Sequence, residues 1–504
     1  MQKIILILLG LNFICLPLVS HAVLKKRPTA LRLTMENIDL PANEKMGLLG
    51  SAYLVHLNKH LYTGLGIYSA VTGQRGGFFT GGLENGFKYR LGRKWELDAG
   101  VFVGGGGGGS APQGGGLMVR PHLDLLYRTD FGKFGLQLSH VKFPNGNIES
   151  NQVAVSYEKP LTMLQSSQWL TVKSTRSLGK RFLTRNRPAT QDFSVLLQTY
   201  DLPDGTINTE GATQDKNMSL IGVEWDQYFG QHSYFRLQTL GALGGNSDGY
   251  ASVLMGLGYQ TPLLGKNTRF KVGASIGASG GGRVDTKGGL TADASVNLQH
   301  RLNNGLLLGL RAGYIAAPGG DFRATSLGGY IGYADRAPDK KVFSSADVKP
   351  RYWRVRATHQ TYLPKGDTRR KNGVIDNQNV HLIGLQTDVM MNKYSYLTGQ
   401  AIGAYDGEAG GYAAGLVGAG LIMPFWKDSR MEFNAEMLVG AAGGGGLAVG
   451  DGLIAQAMLG VGYRTSRSTS LQLAYGLIKS KKGNFEADVI NLSFAYRFTT
   501  LAWR

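Results

Sequence analysis

The sequence predicts an all-β chain: an antiparallel up-and-down transmembrane β-barrel in three repeats of about eight strands. Three observations carry this expectation. Short segments alternate apolar and polar residues with period 2, tight turns alternate with longer loops, and three sequence landmarks recur at domain-sized separations.

The first 22 residues, MQKIILILLGLNFICLPLVSHA, hold one Lys and an apolar run of secretory length that ends at Ser20-His21-Ala22. Small residues there fit a signal peptidase, so residues 1–22 are expected to be a cleaved signal peptide. Cys15 is the only cysteine, and Ile14 before it makes a poor lipidation site. The mature chain then has no disulfide framework. Beyond this segment, no run of about 18 apolar residues reads as a spanning helix. The nearest, GGYAAGLVGAGLIMPFW at 410–426, has counterparts elsewhere that alternate like strands.

The landmarks define the repeats. LTMENIDLP, LLQTYDLP and THQTYLP place Pro41, Pro203 and Pro364 at separations of 162 and 161 residues. MGLLG, MSLIG and VHLIG follow, ending at Gly50, Gly222 and Gly384. Glycine runs then begin at Gly104, Gly280 and Gly443, each 53 residues before the Tyr that closes its repeat, Tyr157, Tyr333 or Tyr496. The expected organisation is repeat 1 over 29–157, a basic linker over 158–190, repeat 2 over 191–334, a linker over 335–350, repeat 3 over 351–498 and a C-terminal extension over 499–504.

Within the third repeat, eight strand segments can be read, from RYWRVRATHQTYL to ADVINLSFAYRF, and the other repeats match them segment by segment. Connections after the second, fourth and sixth strands are tight, as NKH, GRK and DFGK in repeat 1 illustrate. The glycine runs fall where the fifth strand, its loop and the sixth strand meet. Strands on both sides exclude a phosphate-binding loop, which needs a following helix, and favour sharp bends and close backbone approach.

Alternation gives each strand two faces. In NLSFAYRF, Leu492, Phe494, Tyr496 and Phe498 share one face; in MEFNAEMLV, Met431, Phe433, Ala435, Met437 and Val439 face away from Glu432, Asn434 and Glu436. An apolar outside and a polar inside suit a barrel in lipid. The expected inner set is Glu96, Asp98, Arg120, His122, Asp124 and Arg128 in repeat 1. It continues with Lys271, Asp293, Arg301 and Arg311 in repeat 2, then Glu432, Glu436, Arg464 and Arg497 in repeat 3. Eight strands enclose a space that side chains fill, whereas 24 enclose a wide lumen. Because 35 residues separate Tyr157 from Phe193 and 18 separate Tyr333 from Tyr352, three tandem eight-stranded barrels are favoured, with one roughly 24-stranded barrel as the alternative.

The signal segment, the absence of other cysteines, the eight-strand units and the terminal INLSFAYRF resemble bacterial outer-membrane β-barrel proteins. That resemblance implies the cell outer membrane as location, with outer-membrane lipid and the assembly machinery that reads the last strand as partners. The chain departs from the pattern by continuing with TTLAWR after Phe498.

Catalytic chemistry is not expected. GASIG and GNSDG match GxSxG at Ser275 and Ser247, but a nucleophile elbow needs a strand-to-helix turn. VRPHLDLLYR aligns Arg120, His122, Asp124 and Arg128, of which only the Arg recurs in the other sixth strands. No HExxH and no cysteine pair suggests zinc, and no cofactor motif survives. The charge is more informative: 54 basic against 35 acidic residues give +19. Without a recognition module, nucleic acid is not an expected partner. Basic loops are expected to meet lipopolysaccharide or an acidic envelope polymer, with Arg369, Arg370, Lys371, Lys479, Lys481 and Lys482 as contacts. The sequence thus suggests a non-enzymatic structural or surface-binding role, with a porin-like diffusion or export channel as alternative.

Overall fold

The computed structural model describes residues 24–167, 169, 175, 178–338, 343–366, 368–426 and 429–503. The signal segment, and Lys173 and Arg176 of the first linker, lie outside them. Among the described residues the chain forms 24 strands, all paired antiparallel, one short α-helix, α1 (Lys180–Arg185), and two 3-10 turns, Pro41–Asn43 and Ser345–Asp347.

Strands β1 (Lys25–Leu40) to β8 (Glu149–Ser166) pair in chain order, and β8 returns to β1 from Lys25↔Gln165 to Glu36↔Ala154. Strands β9 (Thr190–Asp201) to β16 (Arg323–Asp335) close likewise, from Thr325↔Asp201 to Asp335↔Gln191. In the third set, β17 (Val348–Pro364) pairs with β24 (Glu486–Trp503) from Val348↔Trp503 to Pro364↔Ala487. The first and third sets also touch at Thr499↔Ser166 and Thr500↔Gln165. A continuous 24-stranded wall would need β8 beside β9 and β16 beside β17; neither pairing occurs among the described residues. Closure within each set satisfies the backbone without an open edge, which hydrocarbon requires.

Several boundaries differ from the sequence reading. β1 starts at Lys25 instead of 29, β8 continues to Ser166, and β17 starts at Val348. Residues 499–503, expected to lie outside the repeat, continue β24 as far as Trp503. The reason is packing at the turn end: Leu501 and Trp503 bury against Val348, Phe343 and Leu183 of α1. The expected linker 158–190 therefore begins as strand and ends in a docked helix.

Outward and inward faces differ as alternation requires. Leu327, Leu310 and Met437 point outward at 70%, 65% and 74% exposure, while Arg32, Arg236 and Arg354 point inward and are buried. Each large apolar side chain left in water forfeits about 1.5–3 kcal/mol. Dozens of them would exceed a net folding stability of about 5–15 kcal/mol. Lipid is the solvent that this surface fits. Aromatic pairs ring the turn end, among them Trp95–Tyr127, Phe134–Tyr157 and Trp353–Phe498, where a membrane interface favours them.

The inner face departs from a uniformly polar lining. Towards the turns it is charged, but towards the long loops it is apolar. Phe78–Phe143, Tyr250–Phe322 and Tyr412–Phe485, with ring centroids 5.9, 5.6 and 6.1 Å apart, sit inside the loop ends of the three sets. Each belongs to a buried cluster, with Ile38, Leu48, Tyr68 and Phe102 in the first, Leu220, Tyr200 and Ile315 in the second, and Leu382, Tyr362 and Ile478 in the third.

Candidate functional site

In the first set, Arg32 on β1 is the hub of the charged layer. It reaches Asp98, and its NH2 donates to Glu158 Oε2 at 3.0 Å; Tyr62 OH donates to Asp98 Oδ1 at 2.8 Å. Lys88 pairs with Glu158, and Lys133 bridges Glu96 and Glu158 at 2.5 and 2.9 Å. A layer nearer the loops is bidentate: Arg120 Nε and NH2 donate to the two oxygens of Glu36 at 2.7 and 2.9 Å. His122 lies buried between them, 3.4 Å from Glu84 Oε1.

The second set repeats the logic with other residues. Arg236 forks onto Asp226 at 2.9 and 3.2 Å, Lys271 Nζ donates to the same carboxylate at 2.5 Å, and Arg311 joins Glu224 and Asp293 at 2.6 and 2.7 Å. In the third set, Arg354 and Arg356 share Asp388 at 2.6 and 2.8 Å, Arg356 also reaches Glu436 at 2.6 Å, and Arg497 pairs with Glu432. Forked guanidinium–carboxylate pairs are what make such burial tolerable.

Of the inner residues expected from sequence, Glu96, Asp98, Arg120, His122, Asp124, Lys271, Asp293, Arg311, Glu432, Glu436 and Arg497 are buried inside. Arg128, Arg301 and Arg464 are corrections. Each is the last residue of the sixth strand of its set, so its side chain sits at the rim, in part exposed. Arg128 and Arg464 reach back to Glu96 and Glu432 at 3.6 and 3.4 Å. Sequence reasoning passed over Arg32, Glu36, Glu84, Lys88, Lys133, Glu158, Asp192, Glu224, Asp226, Arg236, Arg354, Arg356 and Asp388. For those on β1, the signal was present in LRLTMENIDL, where Arg32, Thr34 and Glu36 alternate with Leu31, Leu33 and Met35.

Ser275 lies in the wall of the second set opposite Asp293. Ser247 sits in a loop, donating to Gly245 O at 2.7 Å and accepting from Gln214 at 2.8 Å. Among the described residues, no cluster of His, Cys, Asp or Glu is arranged to hold a metal ion. Of the six loop cations, four are ion-paired within the chain: Arg370 with Asp376, Lys371 with Asp248, Lys479 with Glu486 and Lys482 with Asp451. In the loops beyond the strands, the hydrogen bond and charge of Asp451 raise the Lys482 pKa. Arg369 and Lys481 are exposed.

The glycine runs do more than bend strands: they join the three sets. A side chain at Gly116, Gly289 or Gly452 would lie 2.5 Å from the carbonyl oxygen of Ala404, Ala70 or Ala242, each in a different set from its glycine. All three glycines share φ +96°, a conformation other residues rarely adopt. A second trio has the same cyclic order. A Cβ at Gly411 would lie 2.9 Å from Gly108 N and one at Gly249 3.0 Å from Gly444 N, while Gly77 abuts Gly281. Backbone bonds cross the seams as well, Gly76 N donating to Lys287 O at 2.6 Å and Gly411 N to Gly106 O at 3.3 Å. The ion pair Lys371–Asp248 spans the third and second sets.

No protein-family model matches the chain, and no curated protein does. Among solved structures, the ferric enterobactin receptor of Pseudomonas aeruginosa in complex with enterobactin is 11% identical, over 95% of this chain and 82% of that one, at TM-score 0.27. The siderophore receptor PirA of Acinetobacter baumannii is 8% identical, over 95% and 81%, at 0.28. OccAB3 of Acinetobacter baumannii is 11% identical, over 94% and 99%, at 0.22. With scores this far below 0.5, no substrate or functional residue transfers from them. The chain's own geometry, antiparallel strands closed on themselves with apolar faces outward and charges within, makes it a β-barrel protein whose exterior suits lipid.

Proposed function

We propose that the chain is a non-enzymatic outer-membrane protein made of three tandem eight-stranded barrels, residues 24–167, 190–338 and 343–503, with a structural and surface-binding role. The observation that carries this reading is the filling of every lumen. A charged layer occupies the turn half, and an apolar plug built around Phe78, Tyr250 or Tyr412 occupies the loop half. Eight-stranded barrels leave little room beyond their side chains. Solutes therefore have no aqueous path. The loop end, with exposed Arg369 and Lys481, faces outward if the short turns are periplasmic, and offers cations to lipopolysaccharide phosphates.

Planar-bilayer recording of the purified protein tests the reading. The expected result is no stepwise conductance above background; reproducible large steps would contradict it.

A channel remains a second reading because of one feature of the third barrel. A cavity of about 10 Å³, lined by Arg356, Asn434, Glu436, Gln472 and Asn491 together with the apolar Met458, Leu473 and Ala474, has room for about one water molecule. Asn434 Nδ2, Gln472 Nε2 and Asn491 Oδ1 have no protein partner there. Conduction would then depend on displacing the Tyr412–Phe485 plug, and Tyr412→Ala should open a path that the unmodified chain lacks.

A further inference from the structure

The seams enclose a space that belongs to none of the three barrels. Each barrel meets one neighbour near its third strand and the other near its fifth, so its fourth strand is flanked by seams. The fourth strands are β4 (Phe79–Arg90), β12 (Ala251–Leu264) and β20 (Ala413–Pro424). Register makes this specific. Ala251 pairs with Gly241 on one side and Gly280 on the other, and both of these abut a neighbouring barrel: Gly241 meets Ala441, and Gly280 meets Gly77. Ala413 lies likewise between Gly403, against Gly105, and Gly443, against Gly249. Phe79 lies beside buried Ser69. Phe79, Ala251 and Ala413 therefore face one another across the centre of the ring, with Gly81, Val253 and Gly415 two residues further towards the turns.

Apart from Phe79, this centre is lined by small apolar groups, and it is open at Gly81 and Gly415. A Cβ added at Gly81 or Gly415 would meet no atom within 4 Å, although glycines one strand away are in close backbone contact. Ala413 and Gly415 are exposed. Towards the turns the strands leave the seams: Ala278 and Ala441 are buried, but Ile276 and Met437 on the same faces are exposed.

We propose that this axial space is a lipid-binding site that holds acyl chains of a phospholipid. The lining is apolar and continuous with the lipid-facing surface. At the height of the outer leaflet the glycine seams shut it off laterally, so access is from the periplasmic leaflet, where phospholipid resides. The site rests on the three-barrel membrane reading above, and membrane fractionation tests that reading separately.

Native mass spectrometry of the full chain, purified from membranes and exchanged into fresh detergent, tests the site. The unmodified protein should retain phospholipid mass. Gly81→Leu/Gly415→Leu, whose Cβ atoms would meet no protein atom within 4 Å, should lower its occupancy at least tenfold. Leu327→Trp on β16, away from the axis, should not change it. If the double variant fails to fold, as judged by heat-modifiable migration, Ala413→Trp in vesicles of brominated-chain phospholipid replaces it, and strong quenching that survives detergent exchange is expected. Absence of retained lipid, retention unchanged by filling the axis, unquenched Trp at 413, or retention of lipopolysaccharide in place of phospholipid would overturn the proposal.

Discussion

At the scale of residues, stability inside each barrel depends on charge pairs that cannot be halved. Asp226 holds both Arg236 and Lys271 in the second barrel. Asp226→Ala removes the shortest carboxylate contact of two buried cations, leaving Arg236 to Glu224 at 3.0 Å and Lys271 to Asp192 at 3.8 Å, and breaking a buried pair costs about 3–5 kcal/mol. Lys216→Ala removes only an exposed partner of Asp204, an exchange that solvent screening leaves close to neutral. Urea unfolding of the two variants in detergent should separate them by that margin; equal midpoints would contradict a tightly coupled interior. Alternation made the inner face legible at Glu96, Asp98 and Lys271, because period 2 decides which side a residue takes. It carries no information on height along the barrel. Arg128, Arg301 and Arg464 alternate correctly yet end their strands, and so lie at the rim.

Among elements, the strands and their order were legible, and the loop-end plugs were not. In GLVGAGLIM both faces are apolar near the loop, since Leu416 packs inside the lumen while Val417 looks outward; alternation vanishes where both surroundings are apolar. The glycine runs signalled close approach, but not that the neighbour would be another barrel, because glycine leaves no chemical mark of its partner. Strand pairing predicts a separate behaviour for the third unit. Its β17–β24 closure spans 348–364 and 487–503, so residues 343–504 behind the signal segment should assemble into a heat-modifiable, protease-resistant membrane species. A version ending at Phe498 loses the pairs from Val348↔Trp503 to Tyr352↔Thr499 and should assemble less well. Equal assembly of both would show that the last five strand residues contribute nothing to closure.

For the whole molecule, the head-to-tail contacts have the geometry of a closed ring: the seam on one side of each barrel fits the opposite seam of the next, and three steps return to the start. Three eight-stranded sets in one chain thus take the places of three subunits, while free to carry different charged layers. The central claim, three self-closed barrels locked at their glycine loops, is tested most directly by disulfide trapping, because Cys15 is the only natural cysteine. A Cβ at Gly241, in the third strand of the second barrel, would lie 2.7 Å from Ala441 Cβ in the fifth strand of the third barrel. In one 24-stranded wall these strands would be ten apart, roughly 45–50 Å along the sheet, beyond the about 7 Å limit for a disulfide. In Gly241→Cys/Ala441→Cys, with a protease site placed in residues 339–342, the ring predicts that oxidised, cleaved fragments stay joined until reduced. Fragments that separate, while the directly opposed cross-strand pair Thr239→Cys/Val253→Cys forms its disulfide in the same membranes, would contradict it.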